Sequence, residues 1–268
     1  QHNVYVEGHG YLIDHLGDMH RRNSPDHWNA QFENAEAFRE SWKPRQGPLA
    51  LIDALIAQRL EQGSAEPLVI LNMGAGLGDF TVDLARRQNV KVVHVDFSER
   101  ANQVAQQNVD NAGVNVRVQI ITAENGDFLR KFKAEGRQAD VIFFYGGLVE
   151  NTPLEADIEK TFASGVEARA DGGYMWVVAL EQPFLLGLGD RTATDIPGEF
   201  PHRPGLVYDM VAKQPGMNLV REERGERPDK HPLKPGKEPQ DHMHIVYRGL
   251  FVKAETPKSI VTPSFSFK

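Results

Sequence analysis

Apolar residues in this chain come in short bursts separated by segments of helical period. Val69–Met73, Lys91–Val95, Val116–Ile121, Ala139–Tyr145 and Tyr174–Leu180 are too short for helices and rich in β-branched or aromatic side chains, so each reads as a buried strand. Leu49–Leu60 places Leu51, Leu55, Ile56 and Leu60 on one helical face. Asp79–Arg86, Glu99–Asn111, Asp127–Lys133 and Pro153–Ala170 supply the other interleaved helices. Strand and helix in regular alternation predict a parallel sheet covered on both faces. The rhythm then changes. Glu181–Pro204 has glycines and prolines but little period and reads as a long loop or lid. Val207–Lys213 is a helix, and Met217–Glu223 and His244–Val252 are strands with no helix between them, hence an antiparallel hairpin. Arg224–Asp241, charged and proline-rich, reads as an exposed excursion between them.

The fold class is therefore α/β: a Rossmann-like, seven-stranded, mostly parallel sheet with helices on both faces and a terminal hairpin. Before it, Asn29–Trp42 has Phe32, Ala35 and Phe38 at helical spacing. Residues 1–48 are expected to form a helical cap over the active site. Residues 49–256 form the main domain with a lid at 181–205, and residues 257–268 a tail.

Bulk composition narrows the partners. The chain has 268 residues and a formal charge of −7, which disfavours a general nucleic-acid or anionic-membrane binder. No apolar run approaches the roughly 20 residues of a membrane helix. There is no cysteine, so disulfides, thiolate metal sites and cysteine nucleophiles are excluded. With no leader-like start, the expected compartment is the cytoplasm.

The chemistry concentrates where the first strand ends. Leu-Val-Ile-Leu-Asn-Met runs into Gly74-x-Gly76-x-Gly78 and then directly into a helix. Glycines let the backbone turn sharply and pass close to a ligand. Eighteen residues beyond Gly78, the second strand closes on Asp96, placed to accept the two hydroxyls of a ribose. Asp96 could alternatively cap the following helix, a task Ser98 could also perform. The dinucleotide fingerprint requires a third glycine one position later, where Asp79 stands.

The Gly-x-Gly-x-Gly form, the acid closing the second strand and the terminal hairpin together resemble the class I S-adenosylmethionine-dependent methyltransferases over about residues 49–253. The resemblance implies S-adenosylmethionine as cofactor. It places Gly74, Ala75 and Gly76 under the methionine part, Gly78 at the helix start, Asp96 on the ribose diol and Phe97 on the adenine, though Phe97 serves equally well as core filler. Ala123 and Glu124 occupy the positions near the adenine amino group. Tyr145 falls near the sulfonium and substrate, or is simply a buried tyrosine. Two departures stand out. Asn72 occupies the place of the usual Asp or Glu that helps hold the cofactor's ammonium, and Ile121-Thr122 replaces an expected Gly-Asp pair.

A general base would have to come from above the carboxyl ends of the strands. Glu150 and His202 are the candidates carried forward, with Glu181, His20 and His27 behind them. His242 and His244, two apart on a strand beside His231 and Asp241, have metal-ligand spacing but sit in a charged loop, and no metal is expected. Tyr145-Gly-Gly-Leu148 replaces the Asn/Asp-Pro-Pro-Tyr/Phe of amino-methylating nucleic-acid and protein enzymes. The expected partner is thus a small molecule, with neither nucleic acid nor membrane. A fold of this kind could also bind the cofactor without transferring methyl. The oligomeric state is left open, a homodimer included.

Overall fold

β3 (Leu68–Met73) is the strand from which the sheet is wound in both directions. The computed structural model describes residues 4–6, 10–12, 24–34, 46–145, 148–152, 154–181, 202–231 and 240–254. From β3 the chain moves outward through β4 (Val90–Asp96) and β5 (Val118–Thr122). It then crosses back to the other side of β3 for β6 (Ala139–Tyr145) and β7 (Arg169–Glu181). β9 (Gln240–Lys253) pairs antiparallel with β7, and β8 (Met217–His231) pairs antiparallel with β9. The order is β5-β4-β3-β6-β7-β9-β8, parallel as far as β7. The direction of winding reverses between β3 and β6, and in such sheets the ligand crevice opens at that switch point. A separate antiparallel pair, β1 (Val4–Val6) with β2 (Gly10–Leu12), precedes the sheet.

Alternation along the strands sorts side chains to two cores. Ile70, Val92, Val141 and Phe143 face α2 (Gln46–Glu61) and α3 (Asp79–Ala85). Leu71, Met73, Val93, Val95 and Phe144 face α5 (Asn125–Ala134) and α7 (Glu155–Ala168). α4 (Glu99–Asn111) follows β4, and short helices α6 (Leu148–Asn151) and α8 (Leu206–Ala212) flank the carboxyl ends of β6 and β7. At the opposite end of the sheet, Asp140 ties β3 and α2 together. Its carboxylate accepts from Val69 N (2.7 Å) and from Arg59 (2.5 Å).

Two expectations are corrected. Arg224–Asp241 is not a free loop, because β8 runs to His231 and β9 begins at Gln240, with His231 opposite Gln240. Backbone pairing continues the hairpin past Ile245, where β7 ends its pairing with β9. The helix expected from Asn29 to Trp42 starts earlier, as α1 (Pro25–Gln31), and tightens into a 3-10 turn at Phe32–Asn34. Residues 35–45, the lid interior 182–201 and the tail lie outside the described residues. The described residues flanking 182–201 do meet: Glu181 and His202 form a parallel bridge at the end of β7.

Candidate functional site

The glycine loop is shaped by its backbone. Gly74, Gly76 and Gly78 have φ of 63°, 56° and 81°, the left-handed region that side chains with a Cβ rarely adopt. At Gly78 space forbids a side chain as well, since a Cβ would lie 2.7 Å from that of Ala105. This lets α3 start against α4. The loop is then held from three directions. Ala75 N donates to Val95 O (3.1 Å), Gly74 N to Asn125 Oδ1 (3.2 Å) and Gly76 N to Asp96 Oδ2 (2.8 Å).

Asp96 closes β4, on the side of this loop away from β6, and is 5% exposed. Its other oxygen accepts from Ser98 N (2.9 Å), so the carboxylate is held by backbone N–H groups, and among the described residues it has no cation partner. Burial pushes its pKa above the usual carboxylate value. Ser98, not Asp96, caps α4, its hydroxyl accepting from Ala101 N (3.1 Å). Asp96 is thereby left with unused acceptor capacity at the mouth of a glycine cradle. A carboxylate of that kind suits a pair of hydroxyl donors such as a ribose diol.

The other expected cofactor residues distribute around this point. Phe97 is half-buried next to Asp96, and Ala123 N donates to Asp96 O (3.2 Å), which brings the end of β5 to the cleft. Glu124 has a different occupation from the one expected: it caps α5, accepting from Asp127 N (2.9 Å). Tyr145 stacks on Phe80 (centroids 5.0 Å apart) and is held against the first turn of α3. Asn72 is buried, and its amide donates to Thr81 Oγ1 (3.0 Å).

The candidate bases fare less well. His202 is 1% exposed, its Nε2 donates to Thr152 O (2.7 Å), and burial lowers its pKa to about 4. It braces the returning chain against the segment after α6, and a buried imidazole of low basicity is poorly suited to take a substrate proton near neutral pH. Glu181 is saturated too. Arg224 grips both its oxygens (2.7 and 3.1 Å), and Gly205 N donates to one of them (3.0 Å). The side chains of Glu150 and His27, and all of His20, lie outside the described residues, as do the side chains of His231, Asp241, His242 and His244.

Several residues that sequence reasoning passed over pack around the glycine loop and the end of β4. Asn29 of α1 accepts from Ser98 Oγ (2.7 Å) and Arg100 N (3.1 Å), and Phe32 packs with Leu77, Ala101 and Val104 beside the loop. Asn125 holds Gly74, and Thr81, His94 and Asn102 form a buried polar group below it. The one signal for His94 was a polar residue inside the otherwise apolar run Val92–Val95.

Sheet order and the glycine turn after β3 define a Rossmann-like α/β domain. Comparison with known proteins agrees: residues 70–173 match the family described as "Methyltransferase domain". A stretch of 114 residues is 33% identical to Release factor glutamine methyltransferase of Bacillus subtilis (strain 168), covering 40% of this chain and 36% of that relative. The match thus spans little more than a third of that protein's length. Among solved structures, magnesium protoporphyrin IX methyltransferase from Synechocystis PCC 6803 with bound SAH aligns over 86% of this chain and 99% of its own, with a TM-score of 0.55 and 12% identity. The YcgJ protein from Bacillus subtilis aligns over 74% and 97%, with a TM-score of 0.50 and 12% identity. Residues 70–173 thus resemble a methyltransferase domain, the fold is shared with solved methyltransferases, and a methyltransferase domain implies S-adenosylmethionine as its cofactor. Among the described residues no helix is long and apolar enough to cross a membrane, and no three metal-ligating side chains cluster.

Proposed function

We propose that this protein binds S-adenosylmethionine in the cleft between Gly74–Gly78 and Asp96 and transfers its methyl group to a small molecule. The observation that carries this reading is the buried Asp96 carboxylate, held among the described residues by backbone N–H groups without a cation and bonded to the glycine loop. The residues present fit the cofactor. Asp96 would take the ribose diol, Gly74–Gly76 would pass beneath the methionine portion, and Phe97 and Ala123 would flank the adenine. Asn72 contributes no charge to the ammonium, because an amide is neutral, and its Nδ2 is already engaged with Thr81.

The bound cofactor supplies an activated methyl on a positive sulfur, so most of the activation lies in the leaving group. The chain's own task is to align donor and acceptor and to exclude water, which can be worth several kcal/mol. Tyr145, fixed by Phe80 at the end of β6, stands on the side of the cleft where an acceptor would approach. With His202 and Glu181 occupied in bracing, Glu150 remains the candidate base. A small acceptor is preferred over the protein glutamine named for the Bacillus relative, because β6 leads into Tyr145-Gly-Gly-Leu148 rather than Asn/Asp-Pro-Pro-Tyr/Phe.

Calorimetry with S-adenosylmethionine and S-adenosylhomocysteine, followed by a screen of small acceptors for S-adenosylhomocysteine release, tests the reading. Saturable binding with turnover supports it. Binding without consumption of the cofactor would instead indicate a member that keeps the cofactor for another purpose, and absence of binding would overturn both.

A further inference from the structure

Beneath the glycine loop a chain of buried side chains crosses three strands and two helices. Its hydrogens can be placed by starting from one unambiguous acceptor, the carbonyl of Asp96. Asn102 Nδ2 donates to that carbonyl (3.0 Å) and to Thr122 Oγ1 (2.8 Å), which leaves Asn102 Oδ1 to accept. His94 Nε2 lies 3.1 Å from Oδ1 and must carry the imidazole proton. His94 Nδ1 is then an acceptor, and Thr81 Oγ1, 2.8 Å away, donates to it. Thr81 in turn accepts from Asn72 Nδ2 (3.0 Å). Each link is satisfied in one direction only, with the imidazole neutral. Burial, which lowers the His94 pKa to about 4, favours the same state.

We infer that His94 is a positioning residue for the cofactor cleft: by joining Thr81 to Asn102 it sets the spacing between the glycine loop and Asp96. The inference rests on the cofactor reading above. Three observations support it. Asn72 and His94 are register partners on β3 and β4, the strands from which the loop and Asp96 emerge. Gly78 sits directly above the ring, its Cβ position 3.5 Å from His94 Cε1. Asp96 belongs to both tiers, taking Gly76 N at its carboxylate and Asn102 at its carbonyl, so the cleft is tied together above and below the loop. Neighbouring Val92, Val93 and Val95 show that an apolar side chain suits this strand. A polar chain here adds no burial that valine would lack, but it specifies geometry. The chain also accounts for the amide at position 72. A carboxylate there has no hydrogen to give, so Thr81 would turn its own toward it and leave His94 Nδ1 without a donor.

The test uses the full chain. In protein labelled with 15N-histidine at neutral pH, His94 is expected as the Nε2–H tautomer with an unprotonated Nδ1. The opposite tautomer, or an imidazolium, overturns the inference. Thr81→Val, nearly isosteric, removes the donor to Nδ1 and should weaken S-adenosylhomocysteine binding about tenfold by calorimetry. Thr81→Ser keeps the hydroxyl and should restore affinity to near the parent value. His94→Phe should show a loss at least as large. If that variant does not fold, the threonine pair carries the test alone. Parent-like affinity in Thr81→Val overturns the inference while leaving the cofactor reading intact. A parent protein that binds neither S-adenosylmethionine nor S-adenosylhomocysteine removes both.

Discussion

Asp96 and Glu181 close two strands of one sheet at the same rim, and both carboxylates are buried, at 5% and 4% exposure. Their surroundings differ in one respect. Glu181 meets a guanidinium that grips both oxygens, with Gly205 N as a third donor, and so has its charge paired within the fold. Asp96, among the described residues, meets backbone N–H groups and no cation. The first arrangement locks β7, β8 and the start of α8 together. The second leaves a buried charge whose cost the fold tolerates at a place where a ligand can complete it. An acid at a strand's carboxyl end is thus an indication of a site only once its partners are known.

The comparison can be broken most directly at Asp96. Asp96→Ala should weaken S-adenosylhomocysteine binding by about 1–3 kcal/mol, the scale of losing charge-assisted hydrogen bonds. Unchanged affinity by calorimetry would remove Asp96 from the site. Its stability effect should run the other way. Because burial raises its folded-state pKa, the folded chain holds that proton more tightly than the unfolded one. The group's contribution therefore worsens as pH rises from 3.8 through the folded value. Asp96→Asn should accordingly flatten this dependence of melting temperature on pH while binding cofactor poorly.

Glu181→Ala should do the reverse, lowering stability and sparing cofactor affinity. Arg224 is 34% exposed, so solvent screening limits the loss to about 1–2 kcal/mol in chemical denaturation. A drop in affinity with stability unchanged would invert the two roles.

His94 and His202, the buried histidines among the described residues, sharpen the comparison through pH. Both have folded-state pKa values lowered from 6.5 to about 4. Their contribution to stability is complete above 6.5 and is lost as pH falls from there toward 4. Melting temperature should decline across that window, and His202→Phe should flatten the decline without changing cofactor affinity at pH 7. The smallest effect is expected at Glu33, whose contact with Arg100 is 4.0 Å and exposed. Glu33→Ala should shift neither melting nor binding beyond measurement error.

Much of this was legible along the chain because it depends on local pattern. Glu99–Asn111 and Ala139–Tyr145 match the observed helix and strand end to end, since apolar period and cap residues act within a few positions. The Arg224–Asp241 segment was misread because its strand pairing is set by the partner across the hairpin, and its charged, proline-containing composition hides the ladder. Asn29, Asn125 and His94 were invisible for a related reason: each acts through a contact 8 to 71 residues away in sequence.

Sequence alone determined the sheet class, the glycine turn and the acid that answers it, because each follows from side-chain period or from glycine's freedom at positive φ. Tertiary structure alone decided which buried acid meets a cation, how His94 and His202 are buried, and what the amide at position 72 bonds. Those outcomes depend on which donors and acceptors converge in space, and hydrogen-bond partners brought together across strands leave no mark in the local order of residues.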